Sequence, residues 1–202
     1  MDDVVRAQRK TGQLPGIIPS AGWGFNGCNG PAWDSVCAVI PYQMYLYCGD
    51  TRVLQKMYPC LKKYIAFCET MATDNICEFG WGDWCAPYDS WHKQCEVAVT
   101  DTGYYYHDVL IASKIAAVLG FAKEAACYAE KAAEIRDCFR NHFIKRADTE
   151  LELNCTKCQT SLGCMLYFGL VNEEEKQLFV DELMKEIHAM GDHFDVGILG
   201  AK

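Results

Sequence analysis

The 202-residue chain is half apolar and 23% charged, with 19 basic against 27 acidic residues. That composition excludes wholesale disorder, and a chain of this size buries roughly 70% of the surface its unfolded form exposes. A net charge of −8 and a pI near 5.1 weigh against nucleic acid or an anionic membrane as partner, and no run of apolar residues is long enough to span a bilayer. The opening Met1-Asp2-Asp3-Val4-Val5-Arg6 lacks the basic-then-apolar order of an export signal.

Taken in order, the apolar residues keep helical spacing almost throughout. A short piece at 4–9 comes first. Val36, Val39 and Ile40 open a helix that carries Pro41, where the missing backbone donor predicts a kink. Leu54, Met57, Leu61, Tyr64, Ile65 and Cys68 trace one stripe of a helix over 50–70. Leu110, Ile111, Ile115, Val118 and Leu119 mark the next, ended by Gly120, and Tyr128, Ala132, Ile135, Phe139 and Phe143 mark a fifth. Leu162, Met165 and Leu166 indicate a sixth, stopped at Gly169, and Val180, Leu183, Met184 and Ile187 a seventh. Nothing alternates with period two for long enough to argue a sheet, so the fold class is all-α, a single domain over 1–202.

The connections alternate in length. Those at 48–50, 120–121 and 169–172 are short; those at 11–31, 72–99, 144–154 and from 191 onward are long. Short links make antiparallel helical hairpins, which gathers the long ones at the opposite end of the bundle. Long loops in a compact domain are commonly functional.

All five tryptophans (Trp23, Trp33, Trp81, Trp84 and Trp91) fall in or beside the long loops. Carbohydrate sites need flat apolar rings for the C–H face of a pyranose and carboxylates for its hydroxyls. Asp34, Asp83, Asp89 and Asp101 stand nearby in sequence, with Tyr88, His92 and Asn26. The competing reading is that the rings only plug the end of the bundle.

Other chemistries find less support. The 13 cysteines are odd in number, and Cys37, Cys60, Cys68, Cys127, Cys138 and Cys164 fall inside helical patterns as small buried hydrophobes. Reduced thiols, and with them a cytoplasmic or anaerobic setting, fit better than a disulfide framework. Cys155-Thr156-Lys157-Cys158 has metal or redox spacing but lacks a second pair to complete four ligands. The five histidines form no metal motif, and His107 reads as a packed core residue. Gly22-Trp23-Gly24 and Gly80-Trp81-Gly82 lie in loops of an all-helical chain and are not dinucleotide fingers. Glu173-Glu174-Glu175 reads as a solvated helix start. No cofactor is implied.

Several segments resemble the bacterial α-L-rhamnosidases. They are Gly30-Pro31-Ala32-Trp33-Asp34-Ser35, Val39-Ile40-Pro41-Tyr42-Gln43-Met44-Tyr45, Gly49-Asp50, Tyr58-Pro59 and Gly82-Asp83-Trp84. The series continues through Thr102-Gly103-Tyr104-Tyr105-Tyr106, Gln159-Thr160, Gly169-Leu170-Val171 and His193-Phe194-Asp195-Val196-Gly197-Ile198-Leu199-Gly200. The resemblance implies helical hairpins forming part of an (α/α)₆ toroid, since seven helices are too few to close a ring of twelve. It implies a rhamnoside substrate, with Trp33 and Trp84 lining the sugar pocket, His193 on a loop at its mouth, and Asp34 and Asp83 as hydroxyl acceptors.

The family hydrolyses by inversion, with an acid and a base roughly 6.5–9.5 Å apart. The family's general acid lies before the stretch matched here and its base after it. The expectation is therefore of no catalytic residue within this chain, of inactivity alone, and of a homodimer through exposed toroid edges. A non-catalytic sugar-binding module, a purely structural all-α module and another (α/α)₆ glycosidase are the alternatives.

Overall fold

The computed structural model describes residues 1–20, 25, 29–84, 94–148 and 150–201. In chain order the helices are α1 (Asp2–Ala7), α2 (Pro31–Asp34), α3 (Val36–Cys48), α4 (Arg52–Met71), α5 (Val97–Val118), α6 (Ala122–Phe143), α7 (Gln159–Tyr167) and α8 (Lys176–Ala189). A 3₁₀ turn, Glu173–Glu175, leads into α8. α3 packs on α4, α5 on α6 and α7 on α8, while α5 also touches α3 and α7. Three hairpins thus stand side by side, with α3, α5 and α7 in one row.

The rows differ because their sequences differ. α5 is buried at every residue from Ala98 to Tyr106, so it has no polar face there and no periodic stripe. For that reason apolar spacing finds only its second half, and His107 lies mid-helix. The His107 ring is part-buried, 5.0 Å from that of Phe168. α4 shows the stripe the spacing predicts, burying Leu54, Met57, Leu61, Tyr64, Ile65 and Cys68. α3 runs continuously through Pro41.

Further expectations are corrected. Residues 144–154 are not simply loop: β1 (Ile144–Ala147) and β2 (Leu151–Leu153) pair antiparallel, with Ile144 opposite Leu153. Strands of four and three residues are too short to show alternation. Cys127 is exposed, because it lies on the outward face of α6, whereas Cys37, Cys60 and Cys68 are buried and Cys138 and Cys164 half-buried. The eleven described cysteines are all free thiols.

Each short link turns on a left-handed glycine: Gly49, Gly120 and Gly169 have φ of 68°, 83° and 69°. Nothing lies within 4 Å of a Cβ built on any of them, so backbone conformation and not crowding requires glycine. The third link is further held by α6. Arg136 donates to the carbonyls of Gly169 and Val171, and Arg140 to that of Leu170. Arg140 also forms a bidentate pair with Glu175 at 2.7 and 2.8 Å, so the third glutamate of the acidic run is tucked in rather than solvated.

One apolar core joins all three hairpins, with Tyr64, Tyr105, Phe139 and Phe179 among its largest enclosed side chains. α3 leaves Ile40, Met44, Leu46 and Tyr47 exposed, the last at 87%. No helix among the described residues is long and apolar enough to cross a membrane.

Candidate carbohydrate site

The long segments ahead of α3 and α5 meet at one end of the bundle and bring three indoles together. The Trp33 ring centre lies 5.9 Å from that of Trp81 and 6.3 Å from that of Trp84, and Trp81 lies 5.7 Å from Trp84. Trp33 Nε1 donates to the Gly82 carbonyl at 3.0 Å, and the Trp81 N–H to the Asn29 carbonyl at 3.3 Å. The two segments are thereby fastened to each other. Trp84 is 50% exposed and Trp33 and Trp81 are half-buried, so the cluster is an open aromatic platform and not a sealed plug.

Asp83, which falls between Trp81 and Trp84 in sequence, is buried. Its Oδ2 accepts from the Gly197 N–H at 2.7 Å and from the Thr160 hydroxyl. Its Oδ1 accepts from the N–H groups of Leu199 at 2.8 Å and Gly200 at 3.2 Å. The Trp84 carbonyl takes the Ile198 N–H at 2.8 Å. These bonds clasp the 83–84 segment to the 197–200 turn, and the Asp83 carboxylate spends its acceptors on the chain itself.

A second clasp holds His193. Gln159 Nε2 donates to the His193 carbonyl at 3.0 Å, and Gln159 Oε1 accepts from the Asp195 N–H at 3.1 Å. The His193 side chain is exposed on this segment, as is Phe194.

Beneath Trp33 lies a pair of enclosed carboxyls. Asp34, 3% exposed, accepts from Asn29 Nδ2 at 3.3 Å, and Asp101, in the second turn of α5, accepts from the Ala32 N–H at 3.4 Å. The Oδ2 of each has no hydrogen-bond partner among the described residues. Burial pushes the Asp34 carboxyl up to about 7, against the smaller opposing effect of Asn29. Burial likewise pushes Asp101 up to about 8; the N–H groups of Ala32 and Phe79 oppose it and the neighbouring Asp34 adds to it. Both are therefore largely protonated below neutrality.

The structure thus brings Trp33, Trp84, Asp34 and Asp83 to one end of the bundle and clasps the His193 segment to the start of α7. Trp23, Asn26, Tyr88, Asp89, Trp91 and His92 lie outside the described residues. Asn29 and the clasping roles of Gln159 and Thr160 escape sequence reasoning, although three polar residues, Gln159, Thr160 and Ser161, at the start of an otherwise apolar helix are a usable signal. Among the described residues, no three or more His, Cys, Asp or Glu side chains are grouped to hold a metal ion.

The whole chain, residues 1–202, matches the family described as the bacterial alpha-L-rhamnosidase 6 hairpin glycosidase domain. It is 28% identical over 204 residues to an alpha-L-rhamnosidase of Formosa agariphila, an alignment that takes in 99% of this chain and 22% of that one. Among solved structures it is similar to the alpha-L-rhamnosidase of Dictyoglumus thermophilum, with a TM-score of 0.88 and 33% identity over 98% of this chain and 22% of that one. The fold is also that of the Streptomyces avermitilis alpha-L-rhamnosidase solved in complex with L-rhamnose, at a TM-score of 0.87 and 24% identity over 98% of this chain and 18% of that one. The chain spans about a fifth of the length of these relatives. Its three hairpins, their turns and the aromatic end they share accord with that match, and the chain belongs to the bacterial alpha-L-rhamnosidase six-hairpin glycosidase domain family.

Proposed function

We propose that the chain supplies the sugar-holding face of a glycoside hydrolase that removes terminal α-L-rhamnose by inversion. The observation that carries this reading is the open platform of Trp33, Trp81 and Trp84, clasped in place from two directions. In this reading Trp33 and Trp84 meet the apolar face of the sugar and His193 stands at the mouth. Asp34 and Asp83 fix the platform from below and behind, since one is enclosed and the other is engaged by the chain's own donors. The acid and base come from sequence beyond the residues here, so the 202-residue chain binds rhamnose without turning it over. The exposed apolar edge of α3 is where a further hairpin or a second copy packs.

Tryptophan fluorescence titrated with L-rhamnose tests the reading, run beside Trp33→Ala and Trp84→Ala. A saturable change that both substitutions abolish is expected. A flat titration from a protein with an intact helical circular dichroism spectrum would overturn it.

A further inference from the structure

Beside the sugar face, two cysteines carry chemistry of another kind. Cys158 is the N-cap residue of α7, and Cys95 lies two residues before α5. The Cys95 and Cys158 thiols neighbour each other and are both buried, with the Cys95 thiol donating to the Glu96 carbonyl at 3.6 Å. The Cys158 sulfur is also within hydrogen-bonding reach of the backbone N–H groups of Thr160 and Ser161, and lies 3.5 Å from the Ser161 hydroxyl. Unspent N–H groups at a helix start favour a thiolate. The adjacent Cys95 thiol, with these donors behind it, holds the Cys158 thiol down to about 7 against the cost of burial.

The backbone on either side is fixed as well. The Glu96 carboxylate takes the Thr156 N–H at 2.8 and 3.0 Å and its hydroxyl at 2.8 Å. Residues 95–96 therefore grip 156–158 at two adjacent points, which holds the sulfurs in register. Glu96, Cys155 and Cys164 are the other titratable groups around the pair. A second thiol pair, Cys37 with Cys60, joins α3 to α4 in the core. There burial and the neighbouring Cys60 push Cys37 up, and Cys37 in turn lowers Cys60, but helix-start donors do not attend Cys60, well inside α4.

We propose that Cys95 and Cys158 are a redox modification site, closing to a reversible intrachain disulfide with hydrogen peroxide as oxidant. The Cys158 thiolate attacks the peroxide, forming a sulfur–oxygen bond as the O–O bond breaks. The departing hydroxide takes a proton and leaves as water. The Cys95 sulfur then attacks the sulfenic sulfur, and the S–S bond forms as a second water leaves with the Cys95 proton. Two thiols have lost two electrons to one peroxide. The crosslink joins the segment following the tryptophans to the start of α7, where Gln159 and Thr160 hold His193 and Asp83.

The test treats the reduced protein with a few equivalents of hydrogen peroxide and maps its linkages by mass spectrometry of non-reduced peptides. The expected product is a Cys95–Cys158 linkage, reversed by a thiol reductant. In Cys95→Ser it should be replaced by a dimedone-trapped sulfenic acid at Cys158. A map dominated by Cys155–Cys158 or Cys37–Cys60 would overturn the proposal. So would a Cys158 that stays reduced while the exposed Cys48 and Cys127 are oxidised. The map of the unsubstituted protein decides the matter even where the serine variant fails to fold.

Discussion

The two ends of the helical bundle are held by different means. At the end of short links, each hairpin closes through a local device: one glycine in a left-handed conformation, helped at the third link by arginines from α6. At the other end the chain is held from a distance. Asp83 reaches Thr160 and the 197–200 turn, Gln159 reaches His193 and Asp195, and Trp33 reaches Gly82. The first end needs only to reverse the chain, which a single residue can do. The second is built of long loops, which are fixed only by residues that other parts of the fold bring to them.

The comparison breaks most severely at Asp83. Asp83→Ala leaves three N–H groups and a hydroxyl without their acceptor and should cost roughly 3–5 kcal/mol in urea unfolding. If the loss is under about 1 kcal/mol, water replaces the clasp and the long-loop end is not held as described.

A pH series sharpens the contrast next. The native values of Asp34 and Asp101 lie at about 7 and 8, above the ordinary 3.8, so the native state keeps protons that the unfolded chain has released. Their contribution is full below about 3.8 and is lost as pH rises through 7 to 8. Stability should therefore fall by about 2–3 kcal/mol for each group, about 5 kcal/mol together, between pH 5 and 7. Asp34→Asn should roughly halve that slope, leaving the Asp101 part, whereas an unchanged slope would place the effect elsewhere.

The smallest effect belongs to the short-link end. Gly169→Ala should cost about 1–2 kcal/mol, because only the left-handed backbone opposes a side chain there. It should also leave the tryptophan fluorescence unchanged. A fluorescence shift as large as that of Asp83→Ala would mean that the two ends are not independent.

This division also explains what was legible in the sequence. Leu54 to Cys68 announce α4 because that helix has a wet face and a dry one, and Gly49, Gly120 and Gly169 announce its turns and those of its neighbours by being local. Of the five tryptophans in or beside the long loops, the structure brings Trp33, Trp81 and Trp84 together at one end of the bundle. Spacing was silent on the first half of α5, dry on all sides, and on β1 and β2, too short to alternate. Nor could it distinguish a carboxylate that faces ligand from one that fastens the chain. Asp83 looks the same in sequence either way, and only the distant Gly197, Leu199 and Gly200 reveal its use.

The reach of the Asp83 clasp has a kinetic consequence. Its partners at 197–200 lie 114–117 residues further along the chain, so the loop it closes is among the costliest in the molecule to form. The hairpins, made from neighbouring segments, can assemble before that contact exists. The aromatic platform should be the last region to become native, with indole fluorescence lagging far-ultraviolet circular dichroism during refolding. Simultaneous recovery of both signals would show that the clasp forms together with the helices.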